Sequence, residues 1–76
     1  MPTLIRLPTC KLSMYADDHN PPHFHVLAND GKKALVEIAS LTVIAGEVRS
    51  GTLKEALGWA GSNKATLVAK WKELNP

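Results

Sequence analysis

The stretch His23-Phe24-His25-Val26-Leu27-Ala28-Asn29-Asp30-Gly31-Lys32-Lys33-Ala34-Leu35-Val36-Glu37-Ile38 decides the fold. Its first six residues alternate: Phe24, Val26 and Ala28 share one face, His23 and His25 the other. A period of two is that of a strand with one buried side. Asn29-Asp30-Gly31-Lys32 carries turn chemistry, with Gly31 suited to positive φ. Ala34, Val36 and Ile38 then alternate again. The segment therefore predicts a β-hairpin, with Glu37 on the face that approaches the histidine strand.

Upstream, Leu12, Met14 and Ala16 point one way and Lys11, Ser13 and Tyr15 the other, which predicts another strand. Asp17 to Pro22 is a turn, because proline fixes its own φ and pushes the residue before it into extended geometry. Residues 1–9, with Pro2 and Pro8, read as a loose arm or a short edge strand. Downstream, Leu41-Thr42-Val43-Ile44-Ala45 has the β-branched content of a strand. Thr52-Leu53-Lys54-Glu55 has the form of a capping box, which predicts a helix start at Thr52. Leu53, Ala56, Leu57 and Ala60 follow helical spacing, as do Leu67, Val68, Trp71 and Leu74. Gly58, Gly61 and a potential cap at Ser62 leave open one kinked helix or two short ones. Trp59, Leu67 and Trp71 share a face if the helix is continuous, and core packing is their expected role.

These readings give a single α+β domain over residues 1–76: an arm or edge strand at 1–9, a sheet at 11–45 and a helical part at 52–74. The sheet is expected to be small and antiparallel, with three or four strands and one face covered by the C-terminal helix. His23 and His25 are expected on its opposite face or at its edge, exposed to solvent or a partner.

A chain of 76 residues has a small core, and its formal charge of +2 tolerates a nucleic-acid or acidic partner without demanding one. The single cysteine, Cys10, excludes an intramolecular disulfide framework and fits a reduced, cytoplasmic setting. Its expected role is that of a small buried hydrophobe. No apolar run approaches the roughly 20 residues of a membrane helix, so no membrane partner is expected. Phosphate-binding glycine loops and nucleophile elbows are absent from the sequence.

All the chain's histidines lie between His19 and His25, just after Asp17 and Asp18. Imidazole exchanges protons near neutral pH and binds transition metals, so three chemistries arise. In the first, His23 and His25 divide the acid and base roles of metal-independent RNA cleavage, Asp18 orients one ring, and Lys32 or Lys33 holds the phosphate. In the second, His19, His23 and His25, with a neighbouring aspartate, bind zinc or nickel. In the third, the histidines hydrogen-bond locally, for instance to Glu37, and the surface docks a protein partner. That third reading is the leading expectation.

The string His19-Asn20-Pro21-Pro22-His23-Phe24-His25-Val26 resembles the signature of a small prokaryotic family, domain of unknown function 4160. Lys33-Ala34, Glu37-Ile38, Trp59, Leu67 and Trp71 are similar to its downstream positions. The chain departs from that pattern at Gly58, Gly61 and Asn63, the last standing where the family has histidine. The resemblance implies a bacterial protein acting as one half of a two-gene toxin–antitoxin-like module, with a cognate small protein as partner. RNA and a second copy of this chain are the alternative partners. The resemblance implies no substrate and no catalytic residue.

Overall fold

A computed structural model describes residues 3–16 and 18–76. Met1, Pro2 and Asp17 lie outside the described residues. Five strands come first: β1 (Thr3–Arg6), β2 (Cys10–Ser13), β3 (His23–Ala28), β4 (Lys33–Glu37) and β5 (Val43–Gly46). Two helices follow, α1 (Ser50–Ser62) and α2 (Lys64–Leu74). Each strand pairs antiparallel with its neighbour in sequence, giving the sheet order β1-β2-β3-β4-β5. The class is α+β as expected, with one strand more than the upper expectation.

The central hairpin forms as its sequence predicts. The turn closes through Gly31 N–H to Ala28 O and Ala28 N–H to Lys32 O, and Gly31 has φ 91°. Within the 1–9 segment, Thr3–Arg6 forms an edge strand, paired to β2 across an irregularity between Thr3 and Ile5. The last strand begins at Val43, two residues later than expected, because Leu41 turns the chain at φ 55°. It ends at Gly46, φ 72°, where a side chain would collide with the carbonyl oxygen of Lys33.

Apolar alternation becomes a core. Leu12, Phe24, Val26, Ala34 and Val36, from one face of the sheet, pack with Ala56, Ala60, Leu67 and Trp71 of the helices. Burying a leucine- or phenylalanine-sized side chain stabilises the fold by about 1.5–3 kcal/mol. Trp59, more exposed than Leu67 and Trp71, still packs against this core. Cys10 is buried there, and burial, reinforced by the nearby Glu55 carboxylate, pushes its thiol pKa up. No helix among the described residues is long and apolar enough to cross a membrane.

The helical half differs from its local pattern in two places. Helix α1 starts at Ser50, two residues before the expected cap, so Thr52 lies buried inside its first turn. The Glu55 carboxylate does not close a capping box. It accepts from Thr9 N–H (3.0 Å) and Thr9 Oγ1 (2.8 Å), fastening α1 to the β1–β2 turn. A long-range pair thus replaces the local one. The break between the helices falls at Asn63 rather than Ser62: its N–H donates to Ala60 O and its Nδ2 to Trp59 O. Two short helices are therefore formed.

The bonds from Thr9, backbone first, hold the Glu55 carboxyl below the usual glutamate range. A depressed folded-state pKa contributes stability above the unfolded-state value and loses it as pH falls through the folded one. Glu55→Gln is therefore expected to lower the melting temperature at neutral pH. The gap to wild type should close as the pH drops below the ordinary glutamate range. A gap that stays constant across this acid series, followed by circular dichroism, would contradict the role given to Glu55.

Candidate metal centre

The histidines sit where β3 begins and the preceding loop returns to the sheet. Strand alternation places His23 and His25 on the face opposite Phe24 and Val26. That face is not open at this end. His23 is 1% exposed, covered in part by the Trp71 ring of α2 at 5.2 Å between centroids. The expectation of an exposed His23 is therefore corrected: the strand period determines the side a residue faces, while the end of α2 determines what covers it. His25 is partly buried and meets the edge of Tyr15 at 4.5 Å.

Asp18 stands among all three imidazoles. Its Oδ2 lies 3.0 Å from His23 Nε2 and 3.3 Å from His25 Nε2, and its Oδ1 lies 3.2 Å from His19 Nδ1. Oδ1 also accepts from His19 N–H at 2.9 Å. Partial burial works against the ionised carboxyl. The bond from His25, the His19 N–H and the adjacent His23 and His25 outweigh it and hold Asp18 below the usual aspartate range.

His23 has a constrained proton inventory. Its Nδ1 is 2.7 Å from Pro21 O, and a carbonyl only accepts, so Nδ1 carries the hydrogen. In the neutral ring Nε2 is then free to act as an acceptor or a metal ligand. Although Asp18 Oδ2 is 3.0 Å away, it is not aligned for a hydrogen bond, and Nε2 is buried without a partner. A buried polar atom left unpaired costs about 1–3 kcal/mol. A second such atom, Ser13 Oγ, belongs to the residue directly opposite His25 in the register.

One ligating atom from each of Asp18, His23 and His25 lies within 4.8 Å of the other two. Ligands about 2.05 Å from a tetrahedral zinc ion are separated by roughly 3.3 Å, close to the two carboxylate–imidazole distances here. The backbone acceptor behind His23 is of the kind that fixes the tautomer of a metal-binding histidine. His19 lies outside this group: its ring is 84% exposed and approaches the other carboxylate oxygen.

The remaining expected residues are elsewhere. Glu37 is directly opposite His23 in the register, but its carboxylate is engaged by Ser40 Oγ, so the expected imidazole–Glu37 bond is absent. Lys32 is in the hairpin turn, and Lys33 lies opposite Leu27, one alternate position along the sheet from His25.

Asn75 was not foreseen from the sequence. Its Oδ1 accepts from Asp18 N–H at 2.8 Å, and its Nδ2 donates to Tyr15 O at 3.2 Å. It thereby ties two points of the β2–β3 loop to the end of α2. A cleft of about 390 Å³, lined by Asp18, Asn20, Trp71, Asn75 and Pro76, opens beside the carboxylate.

Residues 10–72 match the model of a family described as a domain of unknown function, DUF4160. No curated protein and no solved structure matches the chain.

Proposed function

Because the chain belongs to the DUF4160 family, whose description names no activity, we propose a function from the site itself: binding of a divalent transition metal, zinc first, by Asp18, His23 and His25. The observation that carries it is the buried, unpartnered Nε2 of His23, 3.0 Å from a carboxylate oxygen that is not aligned to bond it. A cation bound here gives Nε2 the partner it lacks and bridges it to the carboxylate. Two imidazoles and one carboxylate form a donor set that suits zinc, nickel or iron(II). Three protein ligands leave a fourth position for water, the arrangement in which zinc activates water for hydrolysis. The cleft beside Asp18 supplies access to it. Metal-independent acid–base work by His23 and His25 is less well supported, since the buried ring of His23 does not reach a substrate in solvent.

The test uses protein prepared without a histidine tag. Native mass spectrometry should find one zinc per chain, and added zinc should raise the melting temperature. Metal-free protein whose melting temperature ignores zinc would remove the proposal.

The protein-partner reading rests on a separate observation. All four residues of β5 are exposed, with Val43 38% and Ile44 43% accessible, and β5 pairs on one side only. An open edge of this kind accepts a strand from another chain. The cognate small protein of a two-gene, toxin–antitoxin-like module in the bacterial cytoplasm is the partner we infer. Co-expression with the adjacent gene product should give one co-eluting species, and separate elution would count against it.

A further inference from the structure

The sheet has a second face, away from the helices, and it carries a row of cations. Residues directly opposite in an antiparallel pair project to the same side. The register sets Arg6 opposite Lys11, Lys11 opposite Leu27, and Leu27 opposite Lys33. These four residues therefore cross four strands in one line. At about 4.8 Å per strand, Arg6 and Lys33 attach to the sheet roughly 14 Å apart. The next line along holds Ser13, His25, Leu35 and Ala45.

Behind this surface Leu12, Val26 and Ala34 are at most 2% exposed beneath the helices. Arg6 and Lys33 are exposed, and Lys11 is half-buried. Among the described residues, none of the three forms an ion pair with a carboxylate. Glu37, on the same side of β4, is held by Ser40, and Glu47 follows β5 beside Lys33. A shallow groove of about 150 Å³, lined by His25, Lys33, Ala34, Leu35, Ala45 and Gly46, joins the cation row to the histidine end.

We propose that this face binds the phosphodiester backbone of a single-stranded nucleic acid, with Arg6, Lys11 and Lys33 as its phosphate contacts. Three unpaired cations in a line complement a strand of regularly spaced charges. Half-buried Leu27 within this line and Leu35 in the adjacent one offer apolar surface to unstacked bases. A sheet face without a projecting helix has no element to enter a duplex groove, so the single strand fits better. The strand would lead toward His25 and the Asp18 cluster. The binding itself does not depend on a metal there.

Fluorescence anisotropy with labelled single-stranded RNA and DNA oligonucleotides of about 12 residues tests this. Wild type should bind, with log K falling against log salt at a slope near −2, about −0.7 for each of three phosphates. R6A/K11A/K33A should lose most of that binding and of the slope. K54A/K70A/K72A, which removes the same charge from the helices, should keep both, and wild type should bind equally with and without EDTA. A preference for RNA over DNA identifies the strand and supports the proposal, as does equal binding of the two. No binding by wild type at low salt, equal loss in the two triple variants, or a duplex bound as tightly as a single strand would overturn it. Circular dichroism of each variant confirms that the fold is kept.

Discussion

Asp18→Asn will reduce zinc affinity by more than about 100-fold while leaving the folded chain intact. Asparagine keeps the shape of aspartate and retains an oxygen for the His19 N–H now bound by Oδ1. It lacks the negative charge that Oδ2 presents to His23 and His25 at 3.0 and 3.3 Å. Asn75→Ala provides the graded comparison, because it removes the support of Asp18 rather than a metal ligand. Loss of an outer hydrogen-bond partner costs roughly 10–100-fold in metal affinity. The two variants should therefore rank in that order by calorimetric titration with zinc. Asp18→Asn binding zinc as tightly as wild type would end the assignment of the carboxylate.

Phe24→Ala should have the largest effect on stability. Phe24 is 0% exposed and is the largest of the fully buried side chains. Truncating a core phenylalanine costs about 3–5 kcal/mol. At roughly 0.05–0.15 kcal/mol per residue, this chain has about 4–11 kcal/mol in total. The substitution removes a large fraction of that. A domain of this size loses about 4–8 °C of melting temperature per kcal/mol, so the drop should exceed about 12 °C. A thermal melt showing less than about 5 °C would mean that Phe24 is not at the centre of the core.

The central hairpin was legible because its determinants are local: alternation in Phe24-Val26 and Ala34-Val36-Ile38, and a glycine where the turn needs positive φ. The last strand was legible in type but not in start, since Leu41 is spent on the turn. Thr52 and Glu55 misled for the opposite reason. Their spacing fits a cap, but Thr9 offers Glu55 two donors that no helical pattern can reveal. At the site, the closeness of His23, His25 and Asp18 was legible from their spacing. Their chemistry was not, because it depends on burial. Asn75 and Trp71 close the site from the end of α2, and nothing near either residue in sequence marks that contact. The uncovered cation row has the same cause: Arg6, Lys11 and Lys33 become neighbours only through the register of β1 to β4.

The tether from Asn75 to Asp18 has a kinetic consequence. Every strand pairing joins segments adjacent along the chain, and such contacts close cheaply and early. The Asn75–Asp18 contact spans 57 residues and requires α2 to have docked. The tie between the loop carrying Asp18 and the helical layer therefore forms only when the last element arrives. A metal ion taken up at this site would mark completion of folding rather than its beginning.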